Sequence, residues 1–398
     1  MSNKINKIAM IEFSNLLLDK ERDILDIHNR EFFYNKSSSI GYKKTVDFCE
    51  FPRWTNFVAS LFHGTVERKL LICRDIQETV YDIISNGYDY IFFSNIEATN
   101  SYILDIIERI LNYKDIQVNT QFVIGNGIGS KFKLPNAKKF KNIHIYDNMQ
   151  DFMNIHAIGR TISHIRYTSM EDDYNSRIYT TSGCKNNCKF CENEGSFELI
   201  PENIISNINP TRVSNLVYVG NKTFMQGGRR ELETTANIYK NSNFIVQSSI
   251  STLYKHIHEL HLLRDNTVTV VEIGVESFNE STIKYLGKNN NFDHLDTIVK
   301  ALNDLDIKVI FNIMLGIPNE NIGSFTSTIK NLEYYKDKLY AINVTNYADY
   351  KSKYDIDRDE RYLFPKSWIR DKDTEFKNEL RRFQETVYHI NYEILINH

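Results

Sequence analysis

Three cysteines lie close together in the middle of the chain. Cys184, Cys188 and Cys191 have the spacing CxxxCxxC. Three thiolates at this spacing can ligate three irons of a [4Fe-4S] cluster and leave the fourth iron without a protein ligand. An iron with an open position can bind and activate a small molecule, so the spacing indicates a reactive centre.

Other uses of these cysteines remain open. A structural zinc site normally needs four ligands, but the nearest upstream histidine is His164 and no cysteine or histidine follows at zinc-finger distance. Disulfides are disfavoured because the chain has 5 cysteines, an odd number, and its N-terminus lacks the pattern of an export signal. We therefore favour the cluster over zinc and over disulfides.

The composition limits the partners. The 398 residues carry a formal net charge of −3, so there is no basic excess to attract nucleic acid. No apolar run approaches the ~20 residues that span a bilayer. We expect a cytoplasmic protein that acts on neither a membrane nor nucleic acid, in a compartment where thiols stay reduced.

From the cysteines onward, β-rich segments alternate with helical patterns, which predicts a parallel βα architecture. The predicted strands cover 177–182, 215–220, 244–250, 268–275, 307–315 and 340–346. Six βα units predict a partial (β/α)6 barrel. Active sites of parallel barrels lie at the C-terminal ends of the strands, and the cysteines directly follow the first strand.

The first ~165 residues have an α/β pattern of their own. Strands are predicted at 8–13, 70–73, 90–94 and 121–124, and helices at 54–62 and 103–111. This is a doubly wound, Rossmann-like pattern. Its last strand runs into Gly-Asn-Gly-Ile-Gly at 125–129, which is either a tight turn or a place where the backbone approaches a ligand.

Past residue 346 the strand pattern is lost, and a terminal helix follows. Its apolar residues recur at steps of four and three: Phe376, Leu380, Phe383, Val387, Ile390 and Ile394. We expect this helix to pack against the barrel, with dimerisation as the alternative. The predicted domains are thus 1–165, 170–346 and a helical extension over 347–398.

The cysteine motif, with the aromatic Phe190 before its third cysteine, resembles that of the radical S-adenosylmethionine (SAM) superfamily. The resemblance implies that the methionine part of SAM chelates the open iron, and that an electron from the cluster cleaves the sulfonium C–S bond to give a 5'-deoxyadenosyl radical. It also implies that Phe190 lies beside the adenine and that an electron donor such as flavodoxin or ferredoxin is a partner.

Two later segments resemble cofactor-binding elements of the family. The segment 271–277, Val-Glu-Ile-Gly-Val-Glu-Ser, is similar to a strand that ends in Gly-Val-Glu/Gln-Ser and is followed by a lysine. This implies that Glu276 and Ser277 hold the ribose or the methionine ammonium of SAM. Glu272 falls on the same strand face as Glu276, where a structural salt bridge and a ligand contact are equally open.

The segment 312–320 is similar to the family's Gly-x-Pro-x-Glu turn. The resemblance implies that Gly316 and Pro318 hold the chain against the adenine while Asn312 points into the barrel. The alternative is an ordinary strand-helix turn with Glu320 in the first helical turn, where its charge favours the helix dipole.

The chain departs from the family at two places. After the second strand, where the family has an acidic or Gly-Gly-Glu element for the methionine amine, only Asn221 or Thr223 could replace it. At the third strand Ser249 stands where many relatives have an arginine for the methionine carboxylate, and a hydroxyl cannot make a bidentate contact. The residues that hold the methionine end therefore stay open.

The first ~165 residues resemble the cobalamin-binding-like domain that precedes the barrel in one branch of the family. The matching pieces include Pro52 before the predicted helix, Ser94 ending a central strand, and Gly125 and Gly127 ending a later one. The Asp-x-His-x-x-Gly box that supplies a cobalt ligand is absent, as in many members of the branch. Cobalamin is therefore a possible cofactor, and a lobe that only shapes the substrate pocket is the alternative.

Together these features predict a radical SAM enzyme that abstracts hydrogen from a small molecule or peptide, with C-methylation if cobalamin binds. A cobalamin-independent rearrangement or redox reaction and a non-catalytic iron-sulfur protein are the alternatives. Transfer-RNA thiomethylation is disfavoured because it needs three more N-terminal cysteines, whereas only Cys49 and Cys73 occur there. These two are either buried structural thiols or hydrogen-atom donors. The sequence identifies no catalytic side chain.

Overall fold

The computed structural model describes residues 5–14, 17, 52–62, 66–95, 99–113, 120–126, 142–146, 176–191, 196–202, 205, 215–288, 290–347 and 372–397. The chain forms two compact units. The strands up to residue 146 belong to the first unit and those from residue 176 to the second. The predicted domain limits at 165 and 170, together with Gly127 and Cys49, lie outside the described residues.

The first unit is a doubly wound α/β layer structure, as predicted. Its strands are β1 (Lys7–Phe13), β2 (Glu67–Cys73), β3 (Tyr90–Asn95), β4 (Gln121–Asn126) and β5 (Ile143–Tyr146), and its helices are α1 (Arg53–Leu61), α2 (Ile76–Asn86) and α3 (Asn100–Leu111). All neighbours pair in parallel, in the order β2-β1-β3-β4-β5. The order reverses between β1 and β3, which makes this the topological switch point.

Both faces of this sheet are covered. α3 buries Ile103, Ile106, Ile107 and Ile110 on one stripe, the face that the sequence periodicity predicts. The helix α2 and the short strand β5 are not among the predicted elements. α2 is bounded by Asp75, whose side chain accepts from the backbone N–H of Glu78, and by Gly87 at its end.

The second unit contains a six-stranded parallel sheet in the chain order of its strands, β6-β9-β10-β11-β12-β13. They are β6 (Ser176–Ile178), β9 (Leu216–Val219), β10 (Asn243–Ser248), β11 (Val268–Glu276), β12 (Lys308–Leu315) and β13 (Ala341–Asn346), with β7 (Thr181–Ser182) and β8 (Glu198–Leu199) as a separate antiparallel pair. The helices are α4 (Arg229–Ile238), α5 (Ile250–Lys255), α6 (His261–Asp265), α7 (Glu280–Tyr285), α8 (Phe292–Asp304), α9 (Ile322–Tyr335) and α10 (Thr374–Asn397). The sequential parallel order confirms the predicted partial (β/α)6 barrel.

The first predicted barrel strand, 177–182, is divided in the structure. β6 pairs with β9, whereas β7 pairs with β8. The side chain of Asn221 accepts hydrogen bonds from the backbone N–H groups of Thr180 and Thr181 at 2.9 and 3.2 Å. These donors are therefore turned away from the sheet, and the strand breaks directly before the cysteine loop.

The two faces of the barrel sheet differ in chemistry. Alternate residues such as Val271, Ile273 and Val275 pack with the surrounding helices in one apolar core. The residues between them, such as Glu272 and Gly274, face the opposite side, the interior of the barrel. The parallel pairing aligns the C-terminal ends of the strands at one edge, where the loops of the candidate site begin.

The terminal helix α10 packs against the barrel, as predicted. Its six predicted apolar residues are all buried in the barrel core. Asn391 accepts from the backbone N–H of Ile342 at 2.9 Å and donates to the carbonyl of the same residue at 3.0 Å. This amide pairs with the outer edge of β13 as a neighbouring strand would.

Among the described helices, none is both long enough and apolar enough to cross a bilayer.

Candidate functional site

The three cysteines lie in one loop between β7 and β8. All three thiols are free of disulfide bonds. Cys188 is buried, and Cys184 and Cys191 are partly exposed. Burial raises the pKa of the Cys188 thiol, and the positive charge of Lys288 opposes this effect.

The described side chains include no group of three His, Cys, Asp or Glu arranged to hold a single metal ion. A mononuclear zinc site would bring its sulfurs to about 2.3 Å from one centre. A [4Fe-4S] cluster places each thiolate on a different iron, so its ligands lie farther apart. The donor set of three thiols in one loop fits the cluster.

Hydrogen bonds gather on one of the three sulfurs. The backbone N–H of Asn186 and the side-chain amide of Gln226 donate to Cys184 Sγ at 3.4 and 3.3 Å. Thr223 Oγ1 lies 3.6 Å from the same sulfur. Within the described part of the chain, Cys188 and Cys191 receive no hydrogen bond at sulfur. The ligand set is therefore electrostatically asymmetric.

The side chain of Asn221 makes hydrogen bonds that stabilise the segment directly before this loop. Its carbonyl oxygen accepts from the backbone of Thr180 and Thr181, and its amide donates to Thr180 Oγ1 and to Glu231, each at 2.8 Å. These four bonds use its full hydrogen-bonding capacity. The predicted contact of Asn221 with SAM stays a prediction, and it would require one of these bonds to break.

Glu231 was not found from the sequence. Its carboxyl is buried and accepts from Asn221 and from the backbone N–H of Gly227 at 2.9 Å. Burial raises the pKa of Glu231 to about 7. This carboxyl therefore connects Asn221 to the loop that carries Gln226.

Ser249, the other residue predicted for the methionine end, caps a helix. It precedes α5, and its hydroxyl accepts from the backbone N–H of Thr252 at 3.3 Å and donates to Thr252 Oγ1 at 2.9 Å. The side chain is buried. Serine is a preferred N-cap residue, so this position has a structural role whether or not SAM contacts it.

Phe190 and the turn after β12 come together. Phe190 packs against an apolar cluster that contains Leu286, Met314, Ile317 and Tyr347. The family resemblance assigns Phe190 and this turn separately to the adenine. The structure brings Phe190 and Ile317 of the turn together in one apolar cluster, and the contact with the adenine stays a prediction.

The turn itself is held by a buried carboxyl. Glu320 accepts from the backbone N–H groups of Gly316 and Ile317 at 2.8 and 3.1 Å. Gly316 has φ 85°, a left-handed conformation that favours glycine. Burial raises the pKa of Glu320 to about 8. Pro318 is exposed at the tip of the turn.

The alternative that Glu320 lies in the first turn of the following helix is wrong. α9 begins at Ile322 with Asn321 as its N-cap. Glu320 lies before the cap and closes the turn, because its carboxyl points back to the two preceding N–H groups.

Glu276 ends β11 in a left-handed conformation, with φ 65°. Its Oε1 accepts from Lys288 Nζ at 2.6 Å, and Lys288 also donates to the carbonyl of Gly274 at 2.9 Å. Among the described residues no group donates to Glu276 Oε2. Ser277 is buried next to it, with its hydroxyl accepting from the N–H of Asn279 at 3.2 Å.

A row of polar side chains crosses the barrel interior. Tyr218 donates to Glu272 Oε2 at 2.9 Å, and Asn312 donates to the same oxygen at 3.2 Å. Asn343 in turn donates to Asn312 Oδ1 at 3.0 Å. Asn312 therefore lies on the interior face, as the sequence analysis expects, and Glu272 belongs to a buried hydrogen-bond network.

In the first unit, Ser94 and Gly125 are direct neighbours in register on β3 and β4. Both lie at the C-terminal edge of the sheet, where ligands of doubly wound folds bind. Among the described residues, a Cβ at Gly125 would meet only the carbonyl oxygen of Phe93, at 3.8 Å. The described neighbours therefore do not crowd this position.

A carboxyl near the switch point was also missed from the sequence. Trp54 Nε1 donates to Glu12, which lies near the end of β1. Burial raises the pKa of Glu12 to about 7.

Cys73 is buried in the apolar core of this unit, and burial raises the pKa of its thiol to about 11. Its position is that of a structural thiol.

Comparison with known proteins agrees with this geometry. Residues 178–332 match the family model described as the radical SAM superfamily. The matched segment includes the cysteine loop, β11 and the turn after β12. No curated protein sequence matches the chain.

The fold of the whole chain is similar to solved structures of two proteins. One is the radical SAM methyltransferase TsrM from Kitasatospora setae, solved with cobalamin and a [4Fe-4S] cluster, at 10% identity over 86% of this chain and 75% of that chain, with a TM-score of 0.51. The other is the cobalamin-dependent SAM radical enzyme OxsB, solved with aqua-cobalamin and SAM, at 10% identity over 96% of this chain, with a TM-score of 0.53.

The present chain spans 56% of the length of OxsB. At such low identity the similarity shows the fold alone. The predicted fold class, a doubly wound unit followed by a partial (β/α)6 barrel, is confirmed by the two sheets and by this similarity.

Proposed function

We propose that this protein is a radical SAM enzyme that abstracts a hydrogen atom from a small-molecule or peptide substrate. The observation that carries the proposal is the loop of three free thiols at Cys184, Cys188 and Cys191, within the segment 178–332 that matches the radical SAM family. Because the loop leaves the C-terminal side of a parallel barrel, its reactive groups face the usual position of an active site.

The donor set fits a [4Fe-4S] cluster with three protein ligands, as argued above. With SAM bound at its open iron, such a cluster supplies the electron that cleaves the sulfonium bond and thereby generates the hydrogen-abstracting radical. The three cysteines hold the cluster, and the partly exposed positions of Cys184 and Cys191 leave one side of the loop accessible.

The remaining residues orient the other substrate groups. Phe190, which is partly exposed and packs against the cluster that contains Ile317, offers an apolar face for the adenine. Lys288 donates to Glu276 Oε1 and no other described residue donates to Oε2, so Oε2 would accept from a ribose hydroxyl or an ammonium. The buried row of Tyr218 and Asn312 at Glu272 gives the barrel interior polar groups for a substrate.

We further propose that the first unit binds cobalamin and that the reaction is C-methylation. This is supported by the strand order, by the paired Ser94 and Gly125 at the ligand edge of the sheet, and by the cobalamin named in both structural neighbours. The proposal is compatible with Gly125, where an added Cβ would meet no described atom closer than 3.8 Å.

A cobalamin-independent radical rearrangement or redox reaction is the second candidate. It is favoured by the lack of an Asp-x-His-x-x-Gly box in the sequence. In this case the first unit would only shape the substrate pocket.

Reductive cleavage of SAM tests the main proposal. Protein prepared without oxygen and reconstituted with iron and sulfide should release 5'-deoxyadenosine when dithionite and SAM are added. Cys188→Ala should abolish this product. Cys73→Ala is the matched control, because Cys73 lies in the other unit, and it should retain the product. The absence of 5'-deoxyadenosine from wild-type protein with a full cluster would contradict the proposal.

Cobalamin binding is tested separately. Protein produced in cells supplied with hydroxocobalamin should carry its absorbance spectrum, and Gly125→Trp should remove the spectrum while SAM cleavage persists. A cobalamin-free protein that still cleaves SAM would favour the second candidate.

A further inference from the structure

The side-chain amide of Gln226 donates a hydrogen bond to the sulfur of Cys184, one of the three proposed cluster ligands. Cys184 lies 42 residues earlier in the chain. Gln226 is buried at the end of the loop after β9. Its Nε2 lies 3.3 Å from Cys184 Sγ. No motif in the sequence marks this residue.

The orientation of the amide is fixed by its second atom. Gln226 Oε1 accepts from the backbone N–H of Lys185 at 2.9 Å, so this atom must be the oxygen and the atom that faces Cys184 must be the nitrogen. Lys185 Nζ also donates to the backbone carbonyl of Gln226 at 2.6 Å. The amide is thus held by the cysteine loop itself.

The backbone on both sides of Gln226 is also held by hydrogen bonds. Glu231 accepts from the N–H of the next residue, Gly227, at 2.9 Å. The backbone N–H of Met225, on the other side of Gln226, also donates to the Glu231 carboxyl. A loop held at both neighbours of Gln226 keeps its side chain in one position, as a group that acts on the cluster requires.

Among the described residues, hydrogen bonds are donated to only one of the three cysteine sulfurs. Within the described residues, Cys184 accepts from Gln226 and from the N–H of Asn186 at 3.4 Å, and the sulfurs of Cys188 and Cys191 accept from none. Hydrogen bonds to the sulfurs are among the factors that set the reduction potential of an iron-sulfur cluster.

We infer that Gln226 raises the reduction potential of the cluster by donating a hydrogen bond to Cys184. One-electron reduction makes the cluster more negative by one charge, and an N–H dipole aimed at a ligating sulfur stabilises the reduced form more than the oxidised form. Gln226 acts on the cluster through Cys184 and is therefore a positioning residue. The inference rests on the proposed function, because it needs the cluster at these cysteines.

The test is a reductive titration of the reconstituted full-length protein, followed by its EPR signal. Gln226→Met keeps the length of the side chain but has no donor, and we expect the reduction equilibrium to become about tenfold less favourable, a lowering of ~59 mV for one electron. Gln226→Glu keeps the acceptor for Lys185 and adds a negative charge, and it should lower the potential at least as much. Gln384→Met, on α10, is the matched control and should leave the potential unchanged.

Iron and sulfide contents must equal those of the wild type, because a merely structural role would lower occupancy without moving the potential. If the Gln226→Met protein does not assemble the cluster, the reduction potential is measured on Gln226→Glu instead. A full cluster with an unchanged potential in these variants would overturn the inference and leave the proposed function intact. A wild-type protein without any iron-sulfur cluster would overturn the proposed function instead.

Discussion

Lys288 Nζ lies 2.6 Å from Glu276 Oε1, and their side chains are 10% and 8% exposed. The pair joins the end of β11 to the segment after α7, beside the cysteine loop. A buried carboxylate needs a partner, and Lys288 supplies one at Oε1. Among the described residues, no group donates to Oε2 of the same carboxyl.

Replacing Lys288 should destabilise the protein strongly. Lys288→Met leaves Glu276 buried without its partner, and breaking one side of a buried pair costs about 3–5 kcal/mol. The free energy of unfolding from urea titration measures this. Lys284→Met is the matched control, since Lys284 is an exposed lysine of α7, and it should change stability by less than about 0.5 kcal/mol.

The double variant Lys288→Met, Glu276→Gln should recover part of this loss, because no unpaired charge remains. If the double variant is no more stable than Lys288→Met alone, the two side chains are not coupled as the structure shows.

Gly274 should not tolerate alanine. An added Cβ would lie 2.7 Å from Glu276 Oε1 and 2.9 Å from Lys288 Nζ, so the ion pair would have to move. We expect Gly274→Ala to cost about 1–3 kcal/mol and to weaken SAM binding in equilibrium dialysis. Gly125→Ala, where the nearest atom would be 3.8 Å away, should be nearly neutral in stability. Equal effects of both substitutions would show that the contact at Gly274 is not limiting.

Asn391 should be important for stability although it is far from the cysteine loop in sequence. Asn391→Ala leaves the buried N–H and C=O of Ile342 without partners, at a cost of about 2–5 kcal/mol. Asn378→Ala on the exposed side of the same helix controls for helix propensity. Hydrogen exchange at the Ile342 amide should accelerate in Asn391→Ala alone, and unchanged exchange would contradict the edge-pairing role.

Glu320 should make stability depend on pH. Its pKa is raised from 4.5 to about 8 by burial, so the unfolded chain releases this proton at lower pH than the folded protein does. The contribution of Glu320 to stability is therefore full below pH 4.5 and is lost as the pH rises to about 8. The loss is at most about 1.4 kcal/mol per pH unit.

Glu320→Gln keeps the acceptor for Gly316 and Ile317 without a titrating proton. Relative to the wild type, this variant should gain stability steadily between pH 5 and pH 8 in urea titrations. A stability difference that stays constant over this range would show that Glu320 is ionised in the folded protein.

The sequence predicts much of the fold because hydrophobic periodicity is local. The apolar stripe of α3 and the six barrel strands follow from it, whereas the break at Thr180 does not, since it depends on Asn221, which lies 41 residues later. α2 was missed although Asp75 and Gly87 bound it.

The cysteine loop could be predicted from the sequence because its three donors are close together in the chain. The roles of Gln226, Glu231 and Lys288 could not be predicted, since their partners lie in other strands and loops. Short polar residues at strand ends are ambiguous for the same reason: Asn221 and Ser249 match the positions of ligand contacts but also complete a loop and a helix cap.

EPR spectroscopy of the dithionite-reduced protein with and without SAM tests the central claim most directly. We predict the signal of one reduced [4Fe-4S] cluster per chain, whose g values change when SAM is added because SAM binds at the iron that Cys184, Cys188 and Cys191 leave open. A protein that holds zinc alone, or a cluster whose signal does not respond to SAM, would contradict it.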